Sequence, residues 1–197
     1  MPLLLVGRDG AQQAVGVELS APMADRARRS VALNNLQTRI TIVSGDVRGI
    51  AQLVPAQSVT LVVSNPPYRK PHQGRLAPEA ERAAARHELA GGLHEFVRAA
   101  GWALGDRGRF CLVHIAERFT DVVTELRQAS LEPKRLRLVH PRPGDPARLL
   151  LIEGCKGAAP GLVVEPPLTL YRAPRGAGCD GNRDYSAEVS ALFGRER

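Results

Sequence analysis

The sequence predicts an α/β domain built on a mostly parallel sheet, and three observations lead there. Short, nearly continuous apolar runs rich in β-branched residues recur at Ala14-Val15-Gly16-Val17-Glu18-Leu19, Ile40-Thr41-Ile42-Val43 and Val59-Thr60-Leu61-Val62-Val63, which is how strands covered on both faces read. Helical patterns alternate with them, the signature of a parallel sheet with crossover helices. The chain has 197 residues, 44% hydrophobic and 24% charged, which suits one globular domain. That composition excludes global disorder, a collagen-like fibre and a disulfide-rich miniprotein. With only 4% aromatics, the core must come from Leu, Val, Ile and Ala.

The elements follow in order. Pro2-Leu3-Leu4-Leu5 reads as helix. After the first strand, Ser20 can cap a helix whose first turn holds Pro22. Met23, Ala27 and Val31 recur at helical spacing along it, and Asn34-Asn35 stops it. A shorter helix fits Val47–Leu53, before Pro55. Pro78–Ala90 reads as helix, and Gly91-Gly92 interrupts it. The next helix has Leu93, Phe96, Val97, Ala100 and Leu104 on one face and ends at Gly105. Arg109–Ile115 is a strand and Glu117–Ala129 a helix. Leu136–Val139 and Leu149–Glu153 are strands whose connection, around Pro141–Pro146, is too short for a crossover helix, so they are antiparallel. A strand near Leu162–Tyr171 and a helix near Ser186–Phe193 close the chain. Residues 1–157 form the main domain, and 158–197 a tail packing on it.

No run approaches the ~18 apolar residues of a membrane helix. Pro2–Val6 lacks the basic flank and cleavage site of a signal peptide. Cys111, Cys155 and Cys179 are too widely spaced for a metal knuckle or a disulfide framework. The expectation is a cytoplasmic protein with no metal and no membrane partner. The 27 Lys+Arg against 20 Asp+Glu give a formal charge of +7, which suits a polyanionic partner.

The sharpest chemical feature is Ser64-Asn65-Pro66-Pro67-Tyr68, directly after the strongest strand. Ligands of open α/β sheets bind outside the carboxyl ends of strands. The prolines fix φ, remove two backbone donors and push Asn65 away from helical geometry. A stiff turn results, with exposed carbonyls, an amide and an aromatic ring. The Asn65 side-chain oxygen and the Pro66 carbonyl can each accept one hydrogen of a planar substrate's NH2 group, and Tyr68 can stack on its ring. This localises the nitrogen lone pair for attack on an electrophile. The plainer alternative is a proline-rich turn with an ordinary surface tyrosine. Glu18, at a strand end, suits ribose hydroxyls or else caps the Ser20 helix. Asp46, after Gly45, suits an exocyclic adenine amine or else begins the next helix.

These residues carry a resemblance. The order strand–Glu18, helix, strand–Asp46, strand–Asn65-Pro66-Pro67-Tyr68 resembles class I S-adenosylmethionine-dependent methyltransferases. The Asn-Pro-Pro-Tyr turn is shared by adenine-N6 methyltransferases of nucleic acids and glutamine-N5 methyltransferases of release factors. Further segments resemble the bacterial tRNA1(Val) adenine-37-N6 methyltransferase family: Tyr68-Arg69-Lys70, Gly74-Arg75, Ala85-Arg86-His87-Glu88, Leu131–Arg137, Val139-His140-Pro141, Leu151–Gly157, Pro166-Pro167-Leu168 and Tyr185–Val189.

The resemblance implies a Rossmann-like sheet and methyl transfer from S-adenosylmethionine to N6 of an adenine in a tRNA anticodon loop. Asn65, Pro66, Pro67 and Tyr68 would hold the extruded base. Glu18 with Leu19 would hold the cofactor ribose, Asp46 with Val47 its adenine, and Asn65 would also touch the cofactor. Arg69, Lys70, Arg75 and Arg86, in the basic segment after the turn, read as RNA phosphate contacts or as solvated charge. Lys134, Arg135 and Arg137 form a second basic cluster, readable as phosphate contacts or as solvated charge. His114 and His140 read as packing or edge residues. Two other functions share these motifs: glutamine-N5 methylation of a protein, and a non-catalytic RNA-binding remnant.

The pattern departs from the family at its start. A glycine-rich turn belongs about 20 residues before the acidic ribose ligand, and counting back from Glu18 passes Met1. The first strand and its glycine-rich loop are therefore expected to be missing, through a misplaced start or through degeneration. The strand lost would lie between those ending at Glu18 and Ser64, so both would lose a hydrogen-bond partner there.

Overall fold

The computed structural model describes residues 1–8, 10–68, 92–172 and 184–194. Helix α1 (Pro2–Gly7) starts with proline in its first turn, where no amide partner is needed. It lies across strand β1 (Ala14–Glu18), where Gly16 has no side chain. A Cβ at Gly16 would stand 2.9 Å from Ile42 Cδ1 and 3.3 Å from Pro2 Cγ. Helix α2 (Ala21–Leu33) follows, with Ser20 as N-cap residue. Its buried residues are Ala24 and Val31, while Met23 is 48% exposed. Of the expected stripe Met23, Ala27 and Val31, Val31 is buried and Ala27 half-buried, while the small Ala24 takes the interior place expected of Met23. Asn35 turns the chain with φ 55°, a conformation Asn tolerates well.

Strand β2 (Ile40–Ser44) pairs parallel with β1, Ala14 opposite Ile40 and Glu18 opposite Ser44. A 3-10 turn (Val47–Gly49) and helix α3 (Ile50–Leu53) come next, then strand β3 (Val59–Ser64). The helix predicted over Pro78–Ala90 lies outside the described residues. Helix α4 (Leu93–Ala103) buries Leu93, Val97, Ala99, Ala100 and Ala103. Leu104, expected as its last turn, instead adopts extended geometry (φ −72°, ψ 132°). It opens strand β4 (Leu104–Ile115), which is irregular near its start, with Arg107 at φ 59°.

A 3-10 turn (Ala116–Arg118) leads to helix α5 (Phe119–Gln128), then strands β5 (Leu131–His140) and β6 (Leu149–Lys156). Strand β6 runs antiparallel to both β4 and β5. The predicted strand near Leu162–Tyr171 is two short pieces, β7 (Val163–Val164) and β8 (Leu168–Thr169), both parallel to β5. Pro166-Pro167 breaks it, because proline cannot donate to the ladder. Helix α6 (Ala187–Leu192) starts at Ser186, whose hydroxyl accepts from the Val189 amide at 3.3 Å.

The strands form two sheets. One is the pair β1-β2; the other runs β3-β4-β6-β5-β7, with β8 also on β5. The break falls between β1 and β3, as the sequence predicts. Among the described residues no strand joins them, so each has one edge without a ladder partner. The larger sheet has the main core, with Phe110, Leu112, Leu150 and Ile152 packed against Val122 and Leu126 of α5. The smaller sheet has a thinner core of Val6, Val31 and Ile40. The Val47–Val54 segment links the halves: Trp102 of α4 donates its indole N–H to the Val54 carbonyl at 3.0 Å.

Candidate active site

The first group of predicted residues gathers at the carboxyl ends of β1 and β2. The parallel register sets Glu18 beside Ser44, and the Gly45 amide donates to the Glu18 carbonyl at 3.0 Å. This brings Glu18, Leu19, Asp46 and Val47 to one end of the pair. Glu18 is half-buried, and its Oε1 accepts the Ser20 amide at 2.9 Å. Its carboxylate thus holds the start of α2. Its other oxygen has no hydrogen-bond partner among the described residues. Leu19 is exposed beside it.

Asp46 is more heavily engaged. One oxygen accepts the Arg48 amide at 2.8 Å, and the other takes Arg48 Nε at 2.9 Å and a terminal guanidinium nitrogen. The Arg48 guanidinium hydrogen bond holds the Asp46 carboxyl below its usual range. The helix-starting role is therefore real. About four lone-pair sites exist on a carboxylate, so one remains for an incoming N–H. A Cβ at Gly45 would come within 2.7 Å of Leu53 Cδ1, so glycine lets α3 close under this loop.

The second group is the turn after β3. Ser64 and Pro66 are buried, Pro67 and Tyr68 half-buried, and Asn65 is exposed. Burial of Pro66 anchors the turn while the Asn65 side-chain amide projects outward, with no side-chain hydrogen bond among the described residues. An amide so held can accept one amine hydrogen without first breaking an internal bond. Arg69, Lys70, Arg75 and Arg86, the expected phosphate contacts, lie outside the described residues.

The ladder pairs Ser64 of β3 with Leu112 of β4, so β4 runs on beside the turn to His114. His114 is fully buried, and neither ring nitrogen has a partner among the described residues. Its ring meets that of Tyr68 edge-to-face, centroids 5.2 Å apart and planes at 68°. Burial, reinforced by the charge of Arg118, holds His114 below its ordinary pKa, so the neutral ring is favoured. Arg118, in the turn that ends β4, donates to the Tyr68 carbonyl at 3.5 Å and to Asp121 at 2.9 Å. Sequence reading missed this arrangement. The signal available was a histidine interrupting the apolar run Phe110–Ile115.

The second basic cluster takes a structural part. Lys134 donates to the Ala159 carbonyl, Arg135 to Glu165, and Arg137 to the Pro166 carbonyl and Glu188. These partners belong to the tail, so the cluster ties Ala159, Glu165, Pro166 and Glu188 to β5. Its charge is largely compensated within the chain, leaving less for an external phosphate.

Comparison with solved structures decides the fold. A predicted O-methyltransferase from Agrobacterium tumefaciens superposes with a TM-score of 0.68 at 22% identity, over 92% of this chain and 77% of that one. Geranyl diphosphate C-methyltransferase from Streptomyces coelicolor, solved with S-adenosyl-L-homocysteine, gives 0.56 at 12% identity, over 78% and 68%. The chain shares the Rossmann-like α/β fold of these methyltransferases. Within that fold, the predicted site residues that the structure describes lie at the carboxyl strand ends described above. No protein-family model matches the chain. A tRNA1(Val) (adenine(37)-N6)-methyltransferase of Porphyromonas gingivalis is 32% identical over 75% of this chain and 58% of the relative. A protein of the same name from Bacteroides fragilis is 24% identical, over 76% and 62%. The chain thus spans about three fifths of the length of these curated relatives.

Proposed function

We propose that the chain uses S-adenosylmethionine to methylate N6 of adenine in a tRNA. The observation that carries this reading is the exposed Asn65 amide on a turn anchored by buried Pro66 and abutting Tyr68. The names of the relatives support an adenine of the anticodon region as substrate, and disfavour a release-factor glutamine. No helix among the described residues is long and apolar enough to cross a membrane, consistent with an RNA substrate met in the cytoplasm.

The residues present fit the cofactor. Glu18 has one carboxylate oxygen open to ribose hydroxyls, with Leu19 beside it. Asp46 keeps one acceptor site for an adenine amine, with Val47 adjacent. S-adenosylmethionine, when bound, supplies a sulfonium methyl, whose transfer forms one N–C bond, breaks one S–C bond and releases S-adenosylhomocysteine and a proton. The Asn65 oxygen and the Pro66 carbonyl each accept one hydrogen of the adenine amine, aiming its lone pair. Tyr68 stacks on the base. Positioning and exclusion of water do most of the work, and no strong general base is required. Arg69, Lys70, Arg75 and Arg86 supply phosphate contacts, which weaken with salt.

The test is incubation with methyl-labelled cofactor and unmodified tRNA, followed by separation of RNA from protein and nucleoside analysis. N6-methyladenosine in the tRNA is expected. Label on protein glutamine, or salt-sensitive tRNA binding with no cofactor affinity by calorimetry, would overturn it.

A further inference from the structure

We propose that His114 and Arg118 are positioning residues for Tyr68: the His114 ring sets the plane of the tyrosine ring, and the Arg118 guanidinium sets its carbonyl. The proposal rests on the functional reading above and extends it to side chains that touch neither base nor cofactor.

Four observations converge. Tyr68 is only half-buried and follows two prolines that cannot donate backbone hydrogen bonds, so its placement needs support from outside its own segment. That support comes from the end of β4, which the Ser64–Leu112 pairing carries past the turn. There the His114 and Tyr68 rings meet edge-to-face at 5.2 Å, an arrangement favoured by the ring quadrupoles. It fixes the angle between the planes without covering both faces of the tyrosine. Finally, Arg118 is largely enclosed, 18% exposed, and its Nε is held by Asp121 at 2.9 Å, which aims a guanidinium nitrogen at the Tyr68 carbonyl.

The identity of residue 114 supports a directional role. The ring is fully buried and neither nitrogen has a partner among the described residues, so no hydrogen bond of its own sets its plane and its contact with Tyr68 is ring against ring. What the imidazole provides is a flat, neutral ring whose polarised edge suits a tyrosine.

The test uses the full chain labelled with 3-fluorotyrosine. The protein has three tyrosines, and Tyr171 and Tyr185 stack on each other at 5.5 Å in the tail. Their fluorine signals therefore report on folding, while the third, assigned with Tyr68→Phe, reports on the turn. His114→Ala is expected to move or broaden the Tyr68 signal and leave the other two in place. His114→Phe, which keeps a flat ring, should restore it, and Arg118→Ala should give a smaller displacement.

In methyl transfer to unmodified tRNA, His114→Ala should raise KM for the RNA about tenfold with kcat within about twofold, because stacking acts alike on ground and transition states. His114→Phe should recover most of that loss. An unchanged Tyr68 signal in His114→Ala, or loss of all three signals' positions together, overturns the proposal. So does a His114→Phe variant as impaired as His114→Ala. A wild-type chain that methylates no tRNA overturns the functional reading, and the fluorine spectra still decide the positioning claim.

Discussion

The two halves of the molecule differ in how firmly they are built. Among the described residues, the β3-β4-β6-β5 half has a core of twelve buried residues, whereas the β1-β2 half rests on Val6, Val31 and Ile40. The candidate base-binding turn belongs to the first and is braced by neighbours on β4. The candidate cofactor residues Glu18 and Asp46 belong to the second; among the described residues β1 and β3 each have one edge without a ladder partner, so the smaller core is what sets this half apart. Few buried apolar contacts mark regions that open locally before the whole domain unfolds. The comparison therefore predicts a rigid base site beside a yielding cofactor site.

The largest effect should come from the core of the larger half. Phe110→Ala is expected to cost about 3–5 kcal/mol, read as a lowered midpoint of the main urea transition. Asn65→Ala, at the exposed tip of the same half, should instead leave that midpoint within about 0.5 kcal/mol. It should cut methyl transfer by about a hundredfold or more while calorimetry finds cofactor affinity nearly unchanged. A stability loss matching that of Phe110→Ala would remove the distinction between tip and core.

In the smaller half, Val31→Ala should cost about 2 kcal/mol. Hydrogen exchange should show the loss in the amides of Ala14–Glu18 and Ile40–Ser44, with little change in Phe110–His114. Equal changes in both halves would mean that the molecule opens as one unit. Glu18→Gln should weaken cofactor binding about tenfold, the scale of one charge-assisted hydrogen bond, and leave tRNA binding unaltered.

The smallest effect is a pH dependence. Burial and Arg118 lower the His114 pKa below its ordinary 6.5, with the Ile115 backbone and Asp121 opposing them. Above that value the ring is neutral in both folded and unfolded chains and contributes nothing. As pH falls through 6.5 the unfolded chain takes up the proton first, so stability declines until the folded protein is protonated as well. Urea transitions measured down through this range should show that decline, and His114→Phe should abolish the component. A thiol test separates a half-buried group: Cys111, pushed up to about 11 by burial and the Glu153 carboxylate, should alkylate far more slowly at pH 8 than a free thiol.

Strands, helices and their alternation were legible because their signals are local. Val59–Val63 reads as a strand, and Ser186–Phe193 as a helix, without knowledge of anything distant. The Glu18–Asp46 juxtaposition was also legible, since parallel strands put their carboxyl ends together whatever the side chains. The break between β1 and β3 followed from counting, because no apolar run of the sequence supplies a strand between them. Which face α2 buries, by contrast, depended on how closely the helix approaches the sheet, and a period of 3.6 leaves a one-residue choice open. The tail strand failed where two prolines cut the ladder.

Sequence alone determined the α/β order, the Asn65–Tyr68 turn and the acidic residues at strand ends, since each is set by backbone geometry over a few residues. Only the tertiary structure decided what those residues touch. Arg135 and Arg137 have the same charge as Arg48, yet they hold the tail while Arg48 holds Asp46. His114 looked like a packing residue until the β3–β4 register brought it against Tyr68. A side chain's partner comes from chain segments far away in sequence, and charge or polarity at one position does not specify which segment arrives.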